Sequence, residues 1–378
     1  MFMASANVVH GTLFALFSRL LIGITIGIFS SAVPLYLGEI SPIKMRGVIG
    51  MMPHLFLTIG VQVAQILAFR EIMGTAEGWP ILMSLSGILA LFQIIIVPSF
   101  PESPRYLLIQ KKDENQAREA LQELRDKNDV EDEMEEIRQE GFAERADRNM
   151  NSLRLLCYPP LRWQVVSIIV LMCGQQLSGV NAIYFYTERI YQSMGLAKDA
   201  VRYISLFSTT AILLAIMCGM YVIETMGRKK LLLIGFGTCS FLCLLLSVTI
   251  KLQTTFKWIS YFNSLFINIF LIGHAMGPSA LPNLLITELF LQSSRSSAYV
   301  VGGFIHWLLN FFTVVTFILI QPFLESYTFL ICSPICMITF LYSFQMIPET
   351  KGKTFLEISR LVPAFVARRM WVKVQPNE

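Results

Sequence analysis

Residues 174–186 read GQQLSGVNAIYFY and follow RWQVVSIIVLMC, a mostly apolar run. Gln175, Gln176, Ser178 and Asn181 therefore fall where an apolar helix would be crossing hydrocarbon. An amide left without a partner in such a medium costs roughly 2–7 kcal/mol, so these groups must face other protein, a water-filled cavity or a ligand. On a straight helix turning about 100° per residue, Gln175, Gln176 and Gly179 lie within about 100° of one another, while Asn181 points about 140° from Gln176. One regular face cannot hold all three amides.

Further along, His306, Trp307 and Asn310 lie within about 100° on one helical face. An imidazole, an indole and an amide together suggest a second polar wall with an aromatic platform; single His and Trp residues in apolar helices also serve as packing or interface groups. In GPSALPNLL, Gly277, Pro278 and Pro282 sit inside an apolar run. A proline there removes a ladder hydrogen bond and bends the helix, and the freed carbonyls need protein or a water-filled cavity. That suits a hinge, or a kinked packing helix. His274, beside this bend, is a further candidate polar group. The charged residues Glu39, Arg46, Glu224, Arg228, Glu288 and Arg295 all lie at ends of apolar runs, where carboxylate and guanidinium can pair or anchor a helix end.

The elements that carry these groups follow from composition. Of 378 residues 54% are hydrophobic and 15% charged, with a mean hydropathy of +0.58. A bilayer core of about 30 Å takes about 20 helical residues. Nine runs are long enough, at about 13–36, 48–69, 79–98, 163–187, 204–223, 231–250, 259–287, 297–320 and 326–347. They are continuously apolar rather than alternating, which excludes a strand-built barrel. The expected fold class is an all-α polytopic membrane protein. MFMASANVVHGTLFALFSRL lacks the basic start of a cleavable signal and runs straight into a span.

Seven cysteines lie in or beside the apolar runs without CxxC spacing, and the i, i+4 pairs Cys239/Cys243 and Cys332/Cys336 read as small hydrophobes. No Ser/His/Asp, HExxH or paired-carboxylate signature marks an enzyme, and no metal or cofactor is expected. The net charge of +4 comes from basic loops and does not point to nucleic acid. Lys44, Arg46, the 99–162 segment, Arg228–Lys230, Arg295 and a basic tail fall on one set of loops, which the positive-inside rule makes cytoplasmic, with the C-terminus.

Between the third and fourth runs lies a polar insert. DENQ at 113–116 reads as a helix start, Ala117, Leu121 and Leu124 have helical spacing, and VEDEMEEIRQE reads as a solvated charged face. The chain also repeats itself: Glu39 precedes Arg46 by seven residues as Glu288 precedes Arg295, at an offset of 288 − 39 = 249, and Glu349 − Glu102 gives 247. That agreement argues for two parallel halves of six spans each. Carried back from Arg162, the offset places the matching start of the first half at 162 − 249 = −87, so about 87 residues of that half are expected to be absent and residues 1–9 read as the tail of its third span. The expected organisation is an incomplete bundle over 1–98, a cytosolic helical linker over 99–161, a complete six-helix bundle over 162–347 and a cytosolic tail over 348–378.

RLLIGITIG, GEISPIKMRG, PESPRYLLIQ, GQQLSGVNAIYFY, ETMGRKK, GPSALPNLLITELF, GGFIHWLLNF and PETKGKTF occur in that order. In these motifs the chain resembles the facilitative sugar transporters of the major facilitator superfamily. KKDE after PESPRYLLIQ, the GH at 273–274 and the HW at 306–307 resemble its fructose-preferring class most. The resemblance implies a break at Gly179 that turns Asn181 toward one sugar site with Gln175, Gln176, His306, Trp307, Asn310 and His274. It also places His54, where the family usually has a glutamine, on that site, and makes the charged span ends an inward gate. A sugar offers a ring of hydroxyls, and neutral amides match their donor and acceptor roles. No Asp or Glu lies well inside a span, which favours uniport over proton coupling. The expected function is facilitative transport of a hexose, fructose first and glucose second, across the plasma membrane. The alternative is a truncated, non-transporting isoform that acts only by association.

Overall fold

The computed structural model describes residues 12–361 apart from 144–150, 185–190, 192–197, 254, 257, 325 and 326. Residues 1–9, most of the 188–203 loop and the basic tail beyond 361 lie outside that set. The described residues contain helices and no strand, and nine helical segments are long and apolar enough to cross a membrane. Lipid offers the backbone no hydrogen-bond partner, so a run of this kind must bond within itself as a helix.

The first three spans are α1 (Thr12–Ile40), α2 (Arg46–Leu67) and α3 (Gly78–Ile96). Two short helices follow, α4 (Glu114–Arg125) and α5 (Glu131–Ala143). The remaining spans begin with α6 (Arg162–Leu177), which resumes as a helix over 180–184, then α7 (Lys198–Met226) and α8 (Arg228–Leu252). Next, α9 (Ile259–His274) passes through a π-helical turn, Ala275–Ser279, into α10 (Leu281–Leu289). The last two are α11 (Gln292–Leu324) and α12 (Tyr327–Met346).

The 249-residue repeat is visible in the backbone. Glu39 ends α1 just before Arg46 opens α2, and Glu288 ends α10 just before Arg295 enters the first turn of α11. Helices of the two halves also pack on each other. Between α2 and α7, Gln62 Nε2 donates to Thr210 Oγ1 at 2.6 Å and the rings of Phe69 and Tyr203 stack at 5.1 Å. Within the second half, α8 and α12 run together, and Ser240 Oγ donates to the Ser333 carbonyl at 3.1 Å. Two hydrophobic clusters form the interior: one centred on α6, α10 and the start of α11, the other on α8, α9 and α12 around the 180–184 helix. Large apolar side chains such as Ile95, Phe207, Tyr221 and Phe304 stay exposed on the outside, as a lipid-facing surface requires. None of the α3 residues is buried.

The insert differs from its sequence reading. Asp113 does start α4, its carboxylate accepting the Gln116 N–H at 3.0 Å, and Ala117 and Leu121 are buried against Leu107, Val130 and Met134. Its charges, however, are not one solvated face. Arg125 Nη1 donates to the Ile40 carbonyl at 2.9 Å, which docks α4 on the end of α1. Glu140 is only 1% exposed. Val130, Met134, Ile137 and Glu140 recur at spacings of four, three and three, so the helix period carries Glu140 inward with the apolar face.

Candidate functional site

The helix made by α6 breaks at Gly179, whose φ of +93° lies in the left-handed region where only glycine is unstrained. A Cβ there would also meet Cys332 Sγ at 3.1 Å. The break frees carbonyls that would otherwise continue the ladder, and the structure supplies donors for them. The Gln175 carbonyl accepts from Ser178 Oγ at 2.7 Å and faces His274 Nε2 at 3.3 Å. The Ser178 carbonyl is met by Cys243 Sγ at 3.5 Å and Cys336 Sγ at 3.7 Å. Both thiols, read from sequence as plain small hydrophobes, are thus weak donors that hold the break.

Beyond the break, Asn181 turns back. Gln176 Oε1 accepts from Asn310 Nδ2 at 3.1 Å and from Asn181 Nδ2 at 3.5 Å. His306 Nδ1 lies 3.2 Å from Gln175 Oε1, and its Nε2 lies 3.2 Å from Gln176 Nε2. Gln176 Nε2 also lies 3.1 Å from Nδ1, so it is the Gln175 contact that sets the neutral tautomer: Nδ1–H donates to Gln175 Oε1. Gln175 and Gln176 are buried, whereas Asn181, His306 and Asn310 are half-buried and form the accessible side. The cluster is neutral, joins α6 to α11, and presents amide donors and acceptors in one place. Such a set can exchange its internal bonds for bonds to a polyhydroxylated ligand without burying a charge.

Other expected members are placed differently. Trp307 does not join the cluster by a hydrogen bond: its indole N–H donates to Ser30 Oγ on α1 at 3.2 Å, and the ring is 41% exposed. Its ring meets His306 edge-on at 5.2 Å. Trp307 instead lines an apolar cavity of about 860 Å³ between α1 and α11, bounded also by Gly27, Ile28, Phe304 and Phe311. His274 is aimed at the backbone of the break, as above. His54 connects to the cluster through Ser279: Gln175 Nε2 donates to the Ser279 carbonyl at 2.7 Å, and Ser279 Oγ lies 3.5 Å from His54 Nδ1. Ser279 was not singled out in the sequence. Pro278 lies inside the π-helical turn and Pro282 in the first turn of α10, so the bend brings Ser279 to face α6.

At the span ends on the side of the insert, the six charged residues and several others form a network. Arg228 makes a fork with Glu224, at 3.1 and 3.3 Å, and its Nε bonds Glu288 at 3.1 Å. Glu224 also accepts the Gly47 N–H of α2 at 2.9 Å. Arg295 faces Glu39 of α1 at 3.6 Å and Glu140 of α5 at 3.5 Å. Glu140 is also paired with Arg105, which reaches Glu136 at 3.2 Å. Burial alone would push the Arg105 guanidinium's pKa down, but Glu140 and Glu136 outweigh that and hold it above its ordinary value. Arg46 differs from the others: its Nη1 donates to the Lys353 carbonyl at 3.3 Å, and its guanidinium lies over the Phe355 ring rather than on a carboxylate.

Glu349 closes the assembly. Gly227, at φ +89°, turns the chain into α8, and the Glu349 carboxylate accepts the first N–H groups of that helix, from Arg228 at 2.9 Å and Lys229 at 3.1 Å. A carboxylate at a helix N-terminus meets both unpaired donors and the positive end of the helix dipole. Its counterpart in the repeat, Glu102, pairs with Lys111 at 2.9 Å in an exposed position. Bonds from α1, α2 and α5 reach α7, α11 and the segment after α12 on this side.

The family described as "Sugar (and other) transporter" matches residues 1–362 of the chain. Human "Solute carrier family 2, facilitated glucose transporter member 5" is 46% identical over 344 residues, covering 91% of this chain and 69% of that protein. Human "Solute carrier family 2, facilitated glucose transporter member 7" is 43% identical over 362 residues, covering 96% and 70%. A solved structure of the proton:xylose symporter XylE bound to 6-bromo-6-deoxy-D-glucose is similar with a TM-score of 0.78 at 21% identity, over 92% of this chain and 74% of that one.

Proposed function

The chain belongs to the sugar (and other) transporter family, and on that premise we propose that it carries a hexose, fructose before glucose, down its gradient around the Gln176 cluster. The observation that carries this reading is the junction at Gln176, where amides from both sides of the Gly179 break meet the imidazole and amide of α11. Neutral donors and acceptors in a low-dielectric setting bind hydroxyls without having to neutralise a charge. The relatives' names as facilitated glucose transporters support a hexose as substrate. Gln175, Gln176, Asn181, His306 and Asn310 are the proposed primary contacts, with His54, Ser279, His274 and Trp307 around them.

In the arrangement described, the cytoplasmic ends are joined. Inward release requires Arg295 to leave Glu39 and Glu140, and the Glu224 fork to leave the Gly47 N–H, as one half rocks against the other. The Pro278 bend gives α9 and α10 a place to hinge. We place the protein in the plasma membrane with its C-terminus cytoplasmic, as a transporter rather than an enzyme.

The test is uptake by liposomes containing the purified 378-residue chain. Saturable uptake of labelled D-fructose, exceeding that of D-glucose, absent for L-glucose and indifferent to a protonophore, is expected. Loss of uptake on adding the protonophore overturns uniport. Stereoselective binding without uptake supports the alternative of a non-transporting form.

A further inference from the structure

The network has a feature that ion pairing does not explain. Phe355, 1% exposed, has three guanidinium groups on its ring: Arg46 at 3.7 Å from the centroid, Arg295 at 4.2 Å and Arg105 at 4.7 Å. They come from α2, from the first turn of α11 and from the start of the insert. Three cations so close repel one another unless each is compensated. Arg295 has Glu39 and Glu140, and Arg105 has Glu140 and Glu136. Arg46 is 2% exposed, and among the described residues it hydrogen-bonds the Lys353 carbonyl alone, its Nε and Nη2 being buried without a hydrogen-bond partner there. Glu288 and Glu136 act on its charge without forming an ion pair with it, and the negative face of the Phe355 ring is the group in direct contact with the guanidinium.

The ring is also well anchored from behind. Its segment leaves α12, where Glu349 caps α8, Lys351 Nζ donates to the Thr225 carbonyl at 2.8 Å, and Lys353 Nζ donates to the Glu349 carbonyl at 3.1 Å. The segment is thus fixed to the second half, while the ring reaches Arg46 of the first half and Arg105 of the insert. We propose that Phe355 is a positioning residue of the cytoplasmic gate, an aromatic strap that holds the guanidinium groups of Arg46, Arg105 and Arg295 together only while the cytoplasmic side is closed. This rests on the transport reading in that the closed state is one step of a cycle. Opening draws Arg46 off the ring and into water, so the strap adds to the closed state without forming a further ion pair.

Hydrogen–deuterium exchange on the full chain in nanodiscs tests this without depending on transport. Phe355→Leu keeps apolar bulk and removes the ring face; Phe355→Tyr keeps the face. In Phe355→Leu, exchange in α5 and in the first turns of α2 and α11 is expected to rise by about three- to thirty-fold, the scale of a desolvated cation–π contact. Exchange within α8 and α12 should be unchanged, and Phe355→Tyr should restore the protection. In an Arg46→Met background, which lacks the guanidinium on the ring that has no ion pair of its own, the same Leu substitution should raise exchange several-fold less than it does with Arg46 present. Equal effects of Leu and Tyr, or an undiminished effect in the Arg46→Met background, overturn the proposal. If Phe355→Leu raises exchange everywhere, the Arg46→Met chain still decides: the effect of Phe355→Leu must be several-fold smaller there. Absence of sugar uptake with this exchange pattern intact would reject the transport reading and leave the strap standing.

Discussion

Replacing Gln176 by alanine removes the centre of the amide cluster. The side chain is 5% exposed and contacts His306, Asn310 and Asn181 at 3.1 to 3.5 Å. If a bound hexose takes over some of those bonds, truncation leaves a buried sugar hydroxyl unpaired, at a cost of about 1–3 kcal/mol. At about 1.4 kcal/mol per decade, D-fructose affinity should fall by about 5- to 150-fold. Stability should change less, by about 1 kcal/mol, because Asn310, Asn181 and His306 are half-buried and water can meet them. Calorimetric titration of D-fructose into the detergent-purified variant reads the affinity, and a melting curve reads the stability. Trp307→Phe is the comparison: its indole bonds Ser30 on α1, so its effect on affinity should be much smaller. An unchanged Kd in Gln176→Ala with a lowered melting temperature would falsify the assignment and make the cluster a packing device.

Glu140→Gln should loosen the span ends beside the insert, because Arg105 and Arg295 lose a buried counter-charge; breaking such a pair costs about 3–5 kcal/mol. Limited proteolysis after α5 should accelerate, and an unchanged cleavage rate would show that Glu140 does not hold the halves together. Gly179→Ala should lower the melting temperature, since a left-handed alanine costs about 1–2 kcal/mol and its Cβ would press on Cys332 Sγ at 3.1 Å. Wild-type stability there would mean the break is not constrained as described. Glycosylation-site tags in the 188–203 loop should be modified and tags in the 348–378 tail should not, given the basic residues on the tail side. The reverse pattern would invert the orientation.

Most of the architecture is legible in the sequence because it depends on local quantities. The length of each apolar run sets the spans, and the structure places them within a few residues of the expected bounds, with α1 extending to Ile40 so that Glu39 stays helical. The Glu–Arg repeat marks equivalent helix-break-helix junctions in both halves. The helical phase conflict between Gln176 and Asn181 predicts that a regular helix cannot serve, and the positive φ at Gly179 is how the backbone resolves it. Glu140 could have been read as inward-facing, since it continues the spacing of Val130, Met134 and Ile137. Its position in an acidic run argued for solvent, and the tertiary contact with two arginines outweighed that.

Sequence alone determined that the chain is built from membrane-crossing helices, that the helix carrying Gln176 and Asn181 cannot be regular, and which charged residues stand at the span ends. Run length, charge and φ preference are properties of a segment and its immediate neighbours. Only the tertiary structure decided which partners those residues meet. Glu140 and Arg295 stand 155 residues apart in the chain, and Arg46 rests on Phe355 rather than on a carboxylate. Trp307 turned toward α1, and Ser279 became the link from α6 to His54. The rotation of each helix about its axis is set by packing against helices distant in sequence, so a side chain's partner is fixed only once all of them are in place.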